Sequence, residues 1–191
     1  MVEYPRFITE DVAYNMVQIY CGNGKGKTTA AVGAAVRGCG AGFSVLFVQF
    51  LKDGSSSELH ILRDLKEVTV LVPEEFYGFS SQLGEEEKKA LTACYKEVFN
   101  RIDGWIADNS ADGELKGIIV LDELLHAVNA GLVEEAQVTE LLDAYSSEYE
   151  FIITGYYPTA ALVKRADYIS NITAEKHPYA LGVKARKGIE L

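Results

Sequence analysis

Gly22-Asn23-Gly24-Lys25-Gly26-Lys27-Thr28-Thr29 is the stretch whose reading decides the fold. Alternating glycines let backbone N–H groups curl around an anion without side chains in the way. Lys27 supplies a cation for terminal phosphates, and Lys25 adds a second one. Thr28 offers a hydroxyl to a hard cation such as Mg²⁺, which favours oxygen ligands. An apolar run, Met16 to Tyr20, precedes the loop and reads as a strand. The Ala-rich run Lys27 to Cys39 follows it and reads as a helix, whose N-terminus favours negative charge. Strand, glycine loop and helix together make a P-loop, with Gly22 to Thr29 as the expected cradle for ATP. The strict pattern wants a glycine at position 21, where this chain has Cys21.

Outward from the loop, short apolar runs alternate with longer amphipathic ones. Phe43 to Phe50, Val68 to Val72, Ile118 to Leu121, Phe151 to Thr154 and Tyr168 to Ile172 read as strands. Glu58 to Leu65, Glu85 to Asp108, Glu134 to Tyr145 and Ala160 to Arg165 read as helices. In the longest of these, Leu91, Cys94, Tyr95, Val98, Ile102, Trp105 and Ile106 recur at spacings of three and four, one apolar stripe. Glu85, Glu86 and Glu87 open it, as the helix dipole prefers. Several strands are continuous apolar runs, the mark of a parallel sheet covered on both faces. The expectation is an α/β fold: a mostly parallel, RecA-like sheet with helices on both faces. It forms one domain, 1–191, with a short N-terminal arm of about residues 1–15. The tail from Lys176 to Leu191 shows no period.

The strand Ile118 to Leu121 ends in Asp122-Glu123. An acid at the end of a buried strand is the second half of a P-loop site and helps to hold Mg²⁺, directly or through water. Either carboxylate could be the closer one. His60, His126 and His177 have no metal-ligand spacing, and no serine or cysteine nucleophile motif is present. These residues reach as far as binding MgATP and acting on it.

Composition narrows the partners. The 191 residues carry 18 Lys and Arg against 28 Asp and Glu, a net charge of -10. Such a surface repels nucleic-acid backbones and anionic membranes, so any anion must be held by a local positive site. No apolar run approaches the ~20 residues of a membrane span. Cys21, Cys39 and Cys94 are odd in number and widely spaced, as expected of reduced thiols in the cytoplasm.

Five segments together resemble the P-loop ATP:corrinoid adenosyltransferases. They are Gly22 to Thr29 continued by Ala30, Ala31, Gly33 and Arg37; Val48-Gln49-Phe50 with Lys52 and Glu58; Leu121 to Leu124; Ile153-Thr154-Gly155 with Ala166-Asp167; and the tail. The tail carries Lys176-His177, Gly182-Val183-Lys184-Ala185 and Gly188-Ile189-Glu190, the most specific of the five. The resemblance implies transfer of the 5′-deoxyadenosyl group of ATP to a Co(I) corrinoid, with release of triphosphate. It implies Lys27, Asp122 and Glu123 as catalytic residues, Thr28 and Glu123 as Mg²⁺ ligands, and Arg37 among the substrate contacts. It also implies a homodimer and a reductase that supplies the electron for cobalt. The family excludes the corrinoid's lower axial ligand with aromatic side chains. Here Phe76 and Phe79, within Phe76-Tyr77-Gly78-Phe79, stand in that region in place of phenylalanine, threonine and tryptophan. Tyr156 stands where the family commonly has arginine, Asn171 to Glu175 replace its usual acid and arginine, and the N-terminal extension is short. A P-loop ATPase or kinase, or a carrier or regulator that binds corrinoid or ATP, are the competing readings.

Overall fold

A computed structural model describes residues 16–74, 83–109 and 116–189. Phe76, Tyr77 and Phe79, and the N-terminal arm, lie outside the described residues. Six strands form one sheet: β1 (Val17–Cys21), β2 (Ser44–Gln49), β3 (Val68–Leu71), β4 (Gly117–Asp122), β5 (Tyr149–Thr154) and β6 (Tyr168–Asn171). Their order is β3-β2-β4-β5-β1-β6, and every pairing is parallel. This is the α/β architecture expected from the continuous apolar runs.

Alternation along the strands sorts side chains onto two faces. Ile19, Leu46, Ile119, Leu121, Phe151 and Ile153 face one core cluster. The helices α3 (Glu85–Asp108), α4 (Leu124–Asn129), α5 (Glu135–Tyr145) and α6 (Ala160–Arg165) cover that face. Val45, Phe47, Ile118, Val120 and Ile152 face the other, covered by α1 (Lys27–Gly40) and α2 (Ser57–Asp64). α1 lies close to the sheet because Gly38 has no side chain. A Cβ there would meet Ile118 Cδ1 at 2.3 Å.

The long helix α3 spans the predicted residues and buries Leu91, Tyr95, Val98, Phe99, Ile102 and Ile106. The helix α4 was not predicted. It runs on from the apolar strand β4 after the single turn residue Glu123, so its apolar residues follow the strand's run with only Asp122 and Glu123 between them. The tail adds a 3₁₀ turn at Pro178–Leu181.

Candidate active site

The strict P-loop pattern fails at Cys21 because the chain does not turn there. Cys21 ends β1 in register with Asn171, and its carbonyl accepts the Ile172 N–H at 2.8 Å. Burial pushes its thiol up from the ordinary value. The turn falls one residue later, at Gly22, whose φ is 105°. A Cβ on Gly22 would lie 2.4 Å from both Ile172 O and Asn171 Oδ1, so glycine is required there. A second positive φ, 115°, falls at Gly26, the N-cap of α1. From there Lys27, Thr28 and Thr29 open the helix. The Lys27 ammonium donates to Gly24 O at 2.8 Å, which holds it over the loop.

Alternation in β2, β4 and β5 places Gln49, Asp122 and Thr154 on the α1 side of the sheet, at the carboxyl ends of neighbouring strands. Gln49 pairs with Asp122 in register, and all three are fully buried. Ligands of open α/β sheets bind at this end. Asp122 Oδ1 accepts from the Thr28 and Thr154 hydroxyls, both at 2.8 Å. Its Oδ2 accepts from Gln49 Nε2 at 3.1 Å and from the Lys52 ammonium at 3.3 Å. Lys52 also reaches Glu58 at 3.8 Å. A buried carboxylate is tolerable when it is paired and fully hydrogen-bonded, and Asp122 meets that condition.

Glu123 adopts φ 63°, a left-handed conformation unusual for a side chain with a Cβ. The twist turns its carboxylate away from the buried network and against His126 Nδ1, one turn along. Burial raises the acid's pKa. The His126 hydrogen bond and the nearby charges of His126, Lys52 and Lys27 outweigh that, so the carboxyl sits below its ordinary value. His126 packs edge-on against Tyr156, ring centroids 5.4 Å apart. Tyr156 in turn accepts the Gly22 N–H through its backbone carbonyl at 2.8 Å.

Above the loop lies a cavity of about 660 Å³. Asn23 to Thr29 and Glu123 form one wall, and the tail from Thr173 to Ile189 supplies the other. The loop is fastened to that tail. Gly24 N–H donates to Ile172 O at 2.7 Å, and Asn23 Oδ1 accepts the Ala174 N–H at 3.0 Å. The Gly24 amide, expected to face phosphate, is therefore spent on the tail. Of the residues singled out by sequence, Asn23 to Thr29 and Glu123 line this cavity. Asp122 lies beneath it, bonded to Thr28, and Gly22 is buried at the strand end. Arg37 is not brought to the cavity. Ten residues along α1 at ~1.5 Å each put it about 15 Å from Lys27, and it is exposed. The tail wall was missed as a wall because nothing periodic marks it.

Residues 13–191 match the model of the family described as ATP:corrinoid adenosyltransferase BtuR/CobO/CobP. The corrinoid adenosyltransferase of Pseudomonas aeruginosa is 30% identical over 174 residues, covering 90% of this chain and 81% of that protein. That of Escherichia coli K12 is 31% identical over 175 residues, covering 92% and 85%. Among solved structures, EssC (ATPases 2 and 3) from Geobacillus thermodenitrificans aligns with a TM-score of 0.49 and 15% identity, over 92% of this chain and 36% of that one. With nearly its whole length matched by the family model, and a nucleotide loop, a buried acid and a family-specific tail around one cavity, the chain belongs to the ATP:corrinoid adenosyltransferases.

Proposed function

We propose that this enzyme, an ATP:corrinoid adenosyltransferase, takes ATP into the cavity between the P-loop and the tail and transfers its 5′-deoxyadenosyl group to a Co(I) corrinoid. The Co(I) electron pair attacks C5′, a cobalt–carbon bond forms, and the C5′–O bond breaks. The triphosphate leaves with that bond's electrons. No proton moves, so no general base is needed. The work left to the chain is alignment of the two substrates and stabilisation of charge on the leaving group.

The observation that carries the reading is the Thr28–Asp122 hydrogen bond, which joins the loop to the buried acid directly under the cavity. Lys27 is suited to the charge of the departing triphosphate. The Thr28 hydroxyl gives its hydrogen to Asp122 and keeps oxygen lone pairs for a hard cation, so the donor set fits Mg²⁺. Thr28 and Glu123 would hold that ion, with Asp122 orienting Thr28. Mg²⁺, when bound, would supply further neutralisation of the leaving triphosphate. Phe76 and Phe79 serve the corrinoid by excluding its lower axial ligand. The chain works as one P-loop domain, as a cytoplasmic homodimer served by a separate reductase. The family resemblance supports those last assignments. No helix among the described residues is long and apolar enough to cross a membrane.

Product identification is the test. Incubated with MgATP and a chemically reduced Co(I) corrinoid, the protein should yield adenosylcorrinoid and inorganic triphosphate in equal amounts. Formation of ADP or AMP, or ATP consumption independent of the corrinoid, would replace this reading with phosphoryl transfer or hydrolysis.

A further inference from the structure

The charge of the cavity wall is opposite to that of the molecule. The chain carries a net charge of -10, yet cations outnumber acids around this cavity. Lys25 and Lys27 come from the loop, and Lys176, Lys184 and Arg186 from the tail. Glu123 and Glu175 are the acids. The loop alone is short of donors. Two of its N–H groups, Gly22 and Gly24, are committed to the Tyr156 and Ile172 carbonyls at 2.8 and 2.7 Å. The Gly24 bond, with the Asn23–Ala174 bond, fixes the start of the tail beside the loop. Positive φ angles of 76° at Gly182 and Gly188 then let the chain turn twice within the tail. Lys184, between those turns, returns to the cavity.

We propose that the tail is the outer jaw of a triphosphate clamp whose inner jaw is the P-loop, with Lys176 and Lys184 as its charged contacts. This rests on the assignment of the cavity to ATP. It adds a set of binding residues that the loop motif does not include. The chemistry favours two jaws. In this reaction all three phosphates leave as one highly charged group, and charge appears at the α end as the C5′–O bond breaks. A loop that has spent two amides holds one side of such an anion. Lysines from the tail neutralise the other side against the repulsion of an acidic protein.

The experiment is calorimetric titration of the full chain with inorganic triphosphate and Mg²⁺. Wild type should bind it, and K176M/K184M should bind about tenfold more weakly or worse, since a charged hydrogen bond is lost at each position. K176R/K184R should recover most of the affinity. Lys164→Met, an exposed lysine on α6, should leave it unchanged. The gap between wild type and the methionine variant should narrow as salt is raised, because exposed charges are screened. A second measurement needs no variant: triphosphate should protect Lys176 and Lys184 of the wild-type protein from amine acylation. The clamp is overturned if K176M/K184M binds triphosphate as tightly as wild type, or if both lysines react equally with and without it. Adenosylcorrinoid formation by wild type, measured separately, reports on the reaction itself, so the clamp can fail while the transferase reading stands.

Discussion

Asp122 is a fully buried carboxylate that accepts four hydrogen bonds, from Thr28, Thr154, Gln49 and Lys52. Its amide replacement keeps the shape, loses the charge and turns one acceptor into a donor facing another donor. Asp122→Asn should therefore lower kcat/KM at least about a hundredfold and also reduce Tm, because breaking a buried pair costs about 3–5 kcal/mol. Leu124→Met, two residues on and equally buried, should cost less than about 1.5 kcal/mol. Steady-state kinetics and thermal melts of both variants check this; a lower Tm with unchanged kcat/KM would reduce Asp122 to a structural residue, and equal behaviour in both would remove it from the site. Lys27→Ala tests the other side of the site. It should raise the ATP dissociation constant by about ten- to a hundredfold, the worth of one to two charged hydrogen bonds. Unchanged binding in a nucleotide titration would remove the loop from the site. The sequence showed these residues plainly, since each has an interaction fixed by its own type. It could not rank Asp122 against Glu123. The ranking depends on a left-handed φ at Glu123 that sends the two neighbouring carboxylates to different partners.

Among elements, the turn after β2 shows how distant parts support the site. Leu51 has φ 53°, a strained conformation costing roughly 1–2 kcal/mol. It presents its N–H to the Tyr95 hydroxyl of α3 at 3.0 Å. The next residue, Lys52, holds Asp122. Burial, partly offset by that Leu51 hydrogen bond, pushes the Tyr95 pKa up from 10.0 to about 12. The folded-state value lies above the unfolded one, so this contribution to stability is intact below pH 10 and is lost as pH climbs through about 12. Tyr95→Phe should leave the Leu51 N–H unpaired and cost about 1–3 kcal/mol. Chemical denaturation between pH 8 and 12 would show wild type losing stability more steeply than the variant over the last two units; parallel curves would refute the link. The aromatic stretch Phe76-Tyr77-Gly78-Phe79 makes a second test. Phe76→Ala or Phe79→Ala should slow the Co(II)-dependent reaction at least about tenfold more than the reaction given preformed Co(I). Axial-ligand exclusion matters for reduction and not for the later attack on carbon. Equal losses with both cobalt states would leave these rings a packing role.

Of the elements themselves, all six strands and every helix among α1 to α6 except α4 were legible from apolar runs and amphipathic spacing. The short α4 and the tail were not. The first follows β4 with only Asp122 and Glu123 separating the two apolar runs. The other is placed by long-range bonds from Asn23 and Gly24 and not by any pattern of its own.

For the whole molecule, net charge sets two responses of opposite sign. Self-repulsion of an acidic chain weakens the folded state, and its anionic ligand is held by a local patch of opposite charge. Raising salt from about 10 to about 150 mM shortens the screening length from about 30 Å to about 8 Å. Tm of the ligand-free protein should rise by a few degrees. The additional Tm gained from saturating MgATP should shrink, since ligand stabilisation follows affinity. Thermal melts with and without nucleotide at both salts measure the two effects together. Changes of the same sign would contradict the division between an acidic surface and a basic cavity.

The strand order also bears on how the chain is made. Among the described residues β1 lies between β5 and β6, so it has no partner in the sheet until residues 149–154 exist. Asn23 waits longer still, for an amide 151 residues downstream. While β2 and β4 can already pair, the glycine loop emerges from the ribosome with nothing to close against. Until β5 is made β1 has no neighbour in this sheet, so the site is completed late, when β5 and β6 join it.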